Sequence, residues 1–277
     1  MPVSLLLCEG GEGSPDARLL VQILAGLPKV QPLGGKYGMR DRVKARREIL
    51  GERAVFGLLD GDFRREWTEP TRRPKDWVVD SGKTFLGWRW ERKEIENYML
   101  DPEVVRRALG DKAPNGTGYQ AALERARDQL PIYEAARLAL SAHRPRFDPM
   151  ANCFGRPRGK HGHVMPDDFG ENACLLGIQQ AVTEHNEGQT VALESVRVEF
   201  QRCRPECEAG GPRFAHFLTA FAGKDLVHAM AADLQALGFP SPAVFLEKVL
   251  RGLENATEDV AGWLEEWAAL RQAVATV

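Results

Sequence analysis

The chain has 277 residues, of which 43% are hydrophobic and 27% charged, so it is long enough to bury a full core and lacks the composition of a disordered protein. Its five cysteines are odd in number and scattered, which argues against a disulfide framework and favours a reducing compartment. A net charge of −2 neither favours nor excludes nucleic acid, because phosphate binding depends on local clusters of Lys and Arg.

The first hundred residues predict a compact α/β unit. The apolar run at residues 3–8 is typical of a buried strand, and Ser14, Pro15 and Asp16 then supply an N-cap and a first helical turn. Further along we expect an extended piece at 30–33, a basic helix at 39–50, strands at 54–59, 77–79 and 84–90, and a basic loop at 64–75. This order of strands and helices favours a parallel sheet flanked by helices.

The apolar run at 3–8 is far shorter than the roughly 20 residues of a membrane helix, and no basic segment precedes it as in a signal peptide. We therefore expect a cytoplasmic protein without membrane contact.

After Asp101 and Pro102, a second N-cap and first-turn pair, the pattern becomes mostly α-helical. Helices are expected at 119–130, 133–142, 172–185, 226–237, 242–253 and 257–274. A Pro-, Gly-, Arg- and His-rich loop at 143–168 divides this region. We predict two domains, 1–100 and 101–277.

Acidic residues follow the two strongest predicted strands. Glu9 comes just after the first strand, and Asp60 and Asp62 come just after the strand at 54–59. Because ligands bind at the carboxyl ends of the strands in an open parallel sheet, we expect these acids to lie close together. Clustered carboxylates favour hard cations such as Mg²⁺, whereas an isolated Asp-Gly-Asp is more often only a polar turn.

The two acidic motifs together resemble the TOPRIM domain shared by topoisomerases, primases and OLD-type nucleases. They read LLLCEG, ending at Glu9-Gly10, and LLDGD, ending at Asp62. Two further stretches resemble the stand-alone TOPRIM proteins related to OLD nucleases, which are often found beside ABC-type ATPases in anti-phage systems. These stretches are EIENYML, beginning at Glu94, and GKD, beginning at Gly223.

The resemblance implies an N-terminal TOPRIM-like catalytic domain at 1–100 and a helical domain at 101–277 for substrate or partner contact. It implies a nuclease with two Mg²⁺ or Mn²⁺ ions, in which Glu9, Asp60, Asp62 and Glu96 are catalytic. Glu94 and Asp16 are additional candidate metal ligands. The family usually has an Asp about four residues after the first glutamate, and here either Glu12 or Asp16 can take that place. Glu94 and Glu96 can equally be acids favoured at a helix start by the helix dipole.

Basic residues in two stretches flank the Asp-Gly-Asp motif, at 36–47 and 64–75. Such runs are often solvated faces, but a phosphate backbone would pass here if the acids bind metal. The predicted nucleic-acid contacts are Lys36, Arg40, Arg64, Arg65, Lys83 and Lys224. For Lys224 the alternative is an exposed helix start.

Histidine and cysteine give weaker signals. Cys153, His161 and His163 lie in the long loop, and Cys203, Cys207 and His216 lie further on, but neither set matches a strong zinc pattern. We expect the thiols of Cys203 and Cys207 to be buried or incidental.

The resemblance implies an anti-phage nuclease acting on DNA or RNA, and it fits a topoisomerase or a primase less well because no strand-passage domain or zinc module is evident. The chain contains no GxxxxGK[ST] motif, so an ATPase in the system would be a partner protein. The alternative is a non-catalytic or partner-activated subunit of an ATPase complex. An oligomer is compatible with the sequence.

Overall fold

The computed structural model describes residues 3–35, 38–49, 54–80, 82–143 and 170–277. Its strands are β1 (Leu5–Cys8), β2 (Lys29–Pro32), β3 (Val55–Leu59), β4 (Lys75–Val79) and β5 (Thr84–Arg89). The helices of the first half are α1 (Pro15–Leu24), α2 (Met39–Ile49), α3 (Glu96–Met99), α4 (Pro102–Leu109), α5 (Gly116–Gln129) and α6 (Pro131–Ala142). Those of the second half are α7 (Glu171–Gln189), α8 (Leu193–Cys207), α9 (Pro212–Ala215), α10 (Phe217–Ala220), α11 (Gly223–Ala229), α12 (Ala231–Ala236), α13 (Pro242–Glu254) and α14 (Glu265–Thr276). Short 3₁₀ turns lie at Gly110–Lys112 and Val260–Trp263.

The five strands form one sheet in the order β2-β1-β3-β5-β4. The pairs β1–β2, β1–β3 and β3–β5 are parallel, and β4 runs antiparallel to β5 at the edge. The predicted α/β class with a mostly parallel sheet is therefore confirmed. Because β1, β3 and β5 run in one direction, the segments that follow them emerge at the same edge of the sheet.

Side chains alternate between two cores along the central strands, as the two-residue period of a strand requires. Leu6 of β1 and Phe56 of β3 belong to the larger core, which α1 and the later helices cover. Leu7 and Val55 face a smaller core with Met39 of α2. Helices thus cover both faces of the sheet, as is usual for strands buried on both sides.

Helix α1 forms as the sequence predicts. The Ser14 hydroxyl accepts a hydrogen bond from the Ala17 amide at 3.4 Å, and Pro15 occupies the first turn. Its apolar face buries residues spaced three and four apart, which hold the helix against the larger core: Leu19, Leu20, Ile23 and Leu24.

The larger core extends through the predicted domain boundary at residue 100. It contains Leu6 and Trp88 from the sheet together with Phe245, Trp267 and Leu270 from the last helices. The change from strands to helices lies near residue 100, while the packing is continuous across that point.

Three features of the helical region differ from the sequence prediction. Helix α8 was not predicted at all, because the residues it buries are Glu199, Cys203 and Cys207, which do not give an apolar periodicity. The helix predicted at 226–237 begins earlier and is interrupted at Met230, and the one predicted at 257–274 is a 3₁₀ turn followed by α14. The loop predicted at 143–168 lies almost wholly outside the described residues.

A search of the described helices found none with the length and apolar character needed to cross a membrane.

Candidate metal centre at the sheet edge

The first two acids of the candidate site lie where neighbouring parallel strands end. Glu9 follows β1 and Asp60 follows β3, and the backbone amide of Asp60 donates a hydrogen bond of 3.1 Å to Oε1 of Glu9. The β1–β3 register pairs Cys8 with Leu58, so both acids emerge at the same level of the sheet edge. The structure thus brings Glu9 and Asp60 together, as expected.

The Asp-Gly-Asp turn is fixed against the segment that follows β5. The amides of Gly61 and Asp62 donate to the carbonyls of Arg92 and Lys93 at 3.2 and 3.0 Å. A Cβ at position 61 would lie 2.2 Å from the Arg92 carbonyl oxygen, so only glycine allows this approach. Asp62 has φ +54°, a left-handed conformation that Asp tolerates better than most residues. The turn therefore holds the two carboxylates in a defined place beside the β5 segment.

Asp16 belongs to this group of acids, whereas Glu12 does not. Burial, opposed by a backbone hydrogen bond and aided by the charges of Glu96 and Glu9, raises the pKa of Asp16 to about 6. Glu12 is exposed on the glycine-rich turn. Of the two residues that the sequence left open as the second acid, the structure places Asp16 in the first turn of α1, facing the cluster.

Glu94, just before α3, and Glu96, the first residue of α3, approach the cluster from the chain that follows β5. Glu96 is 8% exposed, and its Oε2 is buried without a hydrogen-bond partner among the described residues. The Glu94 amide donates to Oδ1 of Asn97 at 2.9 Å, and the Asn97 side chain donates to the carbonyl of Phe221 at 2.9 Å. Asn97 therefore orients this segment and ties it to the start of α11.

Lys224 brings a positive charge to the acids. Its ammonium lies 3.5 Å from Oε1 of Glu96 and 4.0 Å from Oε1 of Glu94, and its backbone amide donates to Oε2 of Glu94 at 2.9 Å. Burial alone would lower the pKa of Lys224, but the charges of Glu96, Glu94, Asp60 and Asp16 outweigh it and raise the pKa. Lys224 thus faces four acids from three different segments of the chain.

Gly223 permits this arrangement. A Cβ at position 223 would lie 2.5 Å from the amide nitrogen of Asn97 and 2.9 Å from its Oδ1. Any side chain there would push α11 away from the segment that carries Glu94 and Glu96. Close packing against Asn97 therefore explains why the GKD stretch begins with glycine.

The collected carboxylates destabilise one another's charged forms. Burial, followed by the charges of Asp16, Glu9 and Asp62, raises the pKa of Asp60 from 3.8 to about 9 against a smaller opposing effect of Lys224. Burial is also the first cause that raises the pKa of Glu96. Such a cluster gains stability when protons or an added cation neutralise it. Across the described ranges, no three His, Cys, Asp or Glu side chains form a ready-made set of ligands for one ion.

A buried ion pair packs behind the site, and no sequence pattern predicted it. Lys93 is 2% exposed and its ammonium lies 2.9 Å from Oε2 of Glu134, which is fully buried on α6. The other carboxylate oxygen of Glu134 accepts from the amide of Ala222 at 2.9 Å. The pair joins the β5 segment, α6 and the start of α11. Only the position of Lys93 inside the motif-bearing stretch could have drawn attention to it.

The predicted nucleic-acid contacts lie in different environments. Arg40 on α2 pairs with Asp80 at 2.6 Å, and Arg65 forms two hydrogen bonds with Glu199, at 2.9 and 3.1 Å. Arg64 donates to the carbonyls of Gly61 and Trp90 at 3.2 and 2.7 Å. Lys83 is exposed, Lys224 lies at the acids, and Lys36 lies outside the described residues.

The cysteines and histidines do not converge on this site. Cys203 and Cys207 are fully buried in the larger core, as expected, and His216 stacks on Trp67 with ring centroids 5.6 Å apart. Cys153, His161 and His163 lie outside the described residues.

Comparison with known proteins yields no match to any protein-family model and none to any curated protein. The fold and the site define the chain as an α/β protein with a cluster of acids at its sheet edge. Its function is therefore argued from its own residues.

Proposed function

We propose that this protein is a TOPRIM-type nuclease that hydrolyses phosphodiester bonds of DNA or RNA with Mg²⁺ or Mn²⁺. The observation that carries the proposal is the convergence of acids from four separate segments of the chain on one sheet edge, with the buried Oε2 of Glu96 unpartnered among the described residues. A buried carboxylate oxygen without a partner, beside other acids, is costly unless a proton or a cation neutralises the group. The motifs that resemble OLD-type nucleases suggest a role in anti-phage defence.

The residues present fit hard divalent cations. The cluster offers carboxylate oxygens and a backbone turn, and no His of the described residues lies among the acids, which suits Mg²⁺ better than zinc. Glu9, Asp60 and Asp62 would hold one ion, and Asp16 and Glu96 would hold the second. Glu94 is the remaining candidate, and its carboxylate already accepts from the Lys224 amide.

Two bound ions would supply a water activated for attack and stabilise the attacking and leaving oxygens at phosphorus. The chain's own contribution is to position the acids. The Gly61 turn holds Asp60 and Asp62 against the β5 segment, and Asn97 holds Glu94 and Glu96 against the start of α11. Lys224 has a half-exposed side chain, so its ammonium can interact with both a carboxylate and an incoming phosphate.

An ABC-type ATPase partner is part of the proposal through the resemblance alone, since the sequence contains no phosphate-binding loop of its own.

The test is cleavage of plasmid DNA, single-stranded DNA and transfer RNA by the purified protein with Mg²⁺ or Mn²⁺. Asp60→Asn should abolish cleavage, whereas Asp111→Asn, the same chemical change at an exposed position, should leave it unchanged. Cleavage that survives Asp60→Asn, or that is equally fast in excess EDTA, would overturn the proposal.

A second candidate function is a non-catalytic or partner-activated subunit of an ATPase complex. The observation that favours it is the Lys224 ammonium 3.5 Å from Glu96, which neutralises part of the cluster without any metal. Calorimetric titration with Mn²⁺ separates the nuclease from the non-catalytic subunit. A nuclease site binds Mn²⁺ and loses this binding in Asp60→Asn, whereas a non-catalytic site gives no heat in either protein.

A further inference from the structure

A pocket lies beside the acid cluster and shares Asp62 with it. It is open, with a volume of about 350 Å³ including the solvent at its mouth. Its walls come from the loop after β3, the start of β4, the segment after β5 and the α9–α10 region. Nothing in the proposed metal chemistry requires this pocket, so its lining calls for a separate explanation.

The loop that forms one wall is irregular but firmly held. The buried side chain of Arg213 donates to the carbonyls of Arg64 and Arg65, both at 2.9 Å, and Arg202 also donates to the Arg65 carbonyl at 2.9 Å. Arg213 in turn pairs with Glu206 at 2.7 Å. A loop fixed by two arginines can present its side chains in one arrangement, as a preformed binding site requires.

Two cations in the pocket have no carboxylate of their own. Arg64 donates only to backbone carbonyls, and the Lys75 ammonium donates to the hydroxyl of Thr68 at 2.6 Å. Neither forms an ion pair with any carboxylate in the described residues. By contrast, the other two cations of the lining are neutralised, Lys93 by Glu134 and Arg213 by Glu206.

The lining also contains acids, and their contacts affect the balance of charge in the pocket. Glu91 is buried and already accepts hydrogen bonds from the amides of Thr71 and Arg72 and from the Thr71 hydroxyl. Glu66 lies at the mouth with 78% of its side chain exposed, so water screens its charge. Burial and the neighbouring Arg64 guanidinium lower the pKa of Lys75 and outweigh the charges of Glu91 and Glu266, which raise it. The two unpaired cations thus repel each other where an anion between them would relieve the repulsion.

From this juxtaposition we propose that the pocket binds a phosphate group of the nucleic acid, through Arg64 and Lys75, next to the phosphodiester that the acid cluster would cut. This proposal rests on the proposed function for its substrate class, but the anion site stands on the pocket alone. Arg64 keeps donors beyond those used on the two carbonyls, and an ammonium has three, so both can donate to phosphate oxygens. Because Asp62 borders both places, a strand bound at the acids continues into the pocket.

The test measures binding without catalysis. A fluorescein-labelled single-stranded oligonucleotide is titrated in EDTA at salt concentrations from 50 mM to 1 M, with DNA and RNA versions and with either a 5′-hydroxyl or a 5′-phosphate. Lys75→Met keeps the aliphatic stem and removes the charge. Lys112→Met removes the same charge from an exposed position outside the pocket and is the matched control.

For one phosphate contact on a single strand, the slope of log affinity against log salt should fall by about 0.7 in Lys75→Met. Extrapolated from 1 M to 50 mM salt, that slope corresponds to an affinity loss of about eightfold at 50 mM. Lys112→Met should retain the wild-type slope. An equal loss for both 5′ ends indicates a backbone phosphate, and a loss confined to the 5′-phosphate indicates a terminal one; both support the site.

An unchanged slope in Lys75→Met with a wild-type melting temperature overturns the proposal, as does a wild-type protein that does not bind the oligonucleotide. If Lys75→Met unfolds, the test is competition between inorganic phosphate and the oligonucleotide for the wild-type protein. A phosphate site predicts that phosphate displaces the oligonucleotide at concentrations where chloride does not, and equal displacement by both ions overturns the proposal. Failure of the nuclease proposal is distinguishable, since it would show as absent metal-dependent cleavage while the slope in EDTA still falls.

Discussion

Replacing Asp60 by Asn should stabilise the metal-free protein while removing its stabilisation by Mg²⁺. The amide keeps the shape of the side chain, and the hydrogen bond to Glu9 comes from the backbone amide of residue 60, so it survives the change. What disappears is a partly buried carboxylate with other carboxylates around it. The two effects have opposite signs, which separates this prediction from ordinary destabilisation.

The magnitude follows from the pKa of Asp60, which is raised from 3.8 to about 9. A carboxyl group with a raised folded-state pKa contributes stability that is full below pH 3.8 and is lost as pH rises towards 9. At about 1.4 kcal/mol per pH unit, the loss by pH 8 is bounded by ~6 kcal/mol. Water entry and side-chain movement reduce such penalties, so we expect a gain on the order of 2 kcal/mol for Asp60→Asn.

The assay is thermal unfolding in EDTA and in Mg²⁺ between pH 5 and 9. A chain of this length should gain ~2 °C for each kcal/mol, so Asp60→Asn should melt about 4 °C higher in EDTA at pH 8, with a smaller difference at pH 5. Mg²⁺ should raise the melting temperature of the wild type but not of the variant. Asp111→Asn is the control. A variant that melts lower than wild type at pH 8, or that follows the wild-type pH profile in parallel, would refute this reasoning.

Three further predictions concern the support of the site. Gly223→Ala should lower metal affinity and melting temperature together, because its Cβ would lie 2.5 Å from the Asn97 amide; titration calorimetry and thermal unfolding measure both. Glu134→Gln should cost about 3 kcal/mol or more in urea unfolding, since it leaves Lys93 charged and buried without its partner. Burial, opposed by hydrogen bonds from Glu91 and Tyr98, raises the pKa of Glu266 to about 7, so its stabilising contribution is complete below about pH 4.5 and lost as pH rises through 7. Between pH 5 and 8 the free energy of unfolding should therefore fall less in Glu266→Gln than in the wild type. The difference, measured by urea unfolding, should be at most about 3 kcal/mol.

The predictions for Gly223 and Glu134 each have a contrasting control variant. Gly116→Ala introduces a Cβ with nothing within 4 Å and should leave the metal affinity unchanged. Asp233→Asn breaks the half-exposed pair with Arg125 and should cost less than about 1 kcal/mol. Equal effects of Gly223→Ala and Gly116→Ala, or of Glu134→Gln and Asp233→Asn, would contradict the assigned roles. For Glu266, an equal fall in the free energy of unfolding between pH 5 and 8 in the variant and in the wild type would contradict the assigned role.

The α/β class and most of the first hundred residues follow from local pattern. Short apolar runs mark β1 and β3, and Ser14 with Pro15 marks the start of α1, because these signals act within a few residues. The approach of Glu9 to Asp60 was expected for the same reason, since parallel strands end at one edge. Which residue is the second acid of the cluster, Asp16 or Glu12, could be decided only from the three-dimensional structure. The answer depends on how the glycine-rich turn positions the first turn of α1.

The interior of the helical region was less accessible to sequence reasoning. The buried pair of Lys93 and Glu134 joins residues 41 positions apart, and each alone resembles an exposed charge. The buried face of helix α8 includes a charged residue, Glu199, whose carboxylate is paired with Arg65 and Arg202. Sequence periodicity detects apolar stripes, not polar groups that become buried because a distant partner neutralises them.

The order in which the chain is synthesised bears on when the site exists. Glu9 and Asp60 emerge from the ribosome early, but the Gly223–Lys224 turn that faces them comes more than 160 residues later. Packing around the sheet is also completed late. The amide of Val3 donates to the carbonyl of Val274, and Glu266 of α14 accepts from the amide of Glu91. A nascent or truncated chain that ends before α11 therefore carries the acids without the lysine and without its C-terminal packing. The complete site therefore forms only after these C-terminal elements have been synthesised.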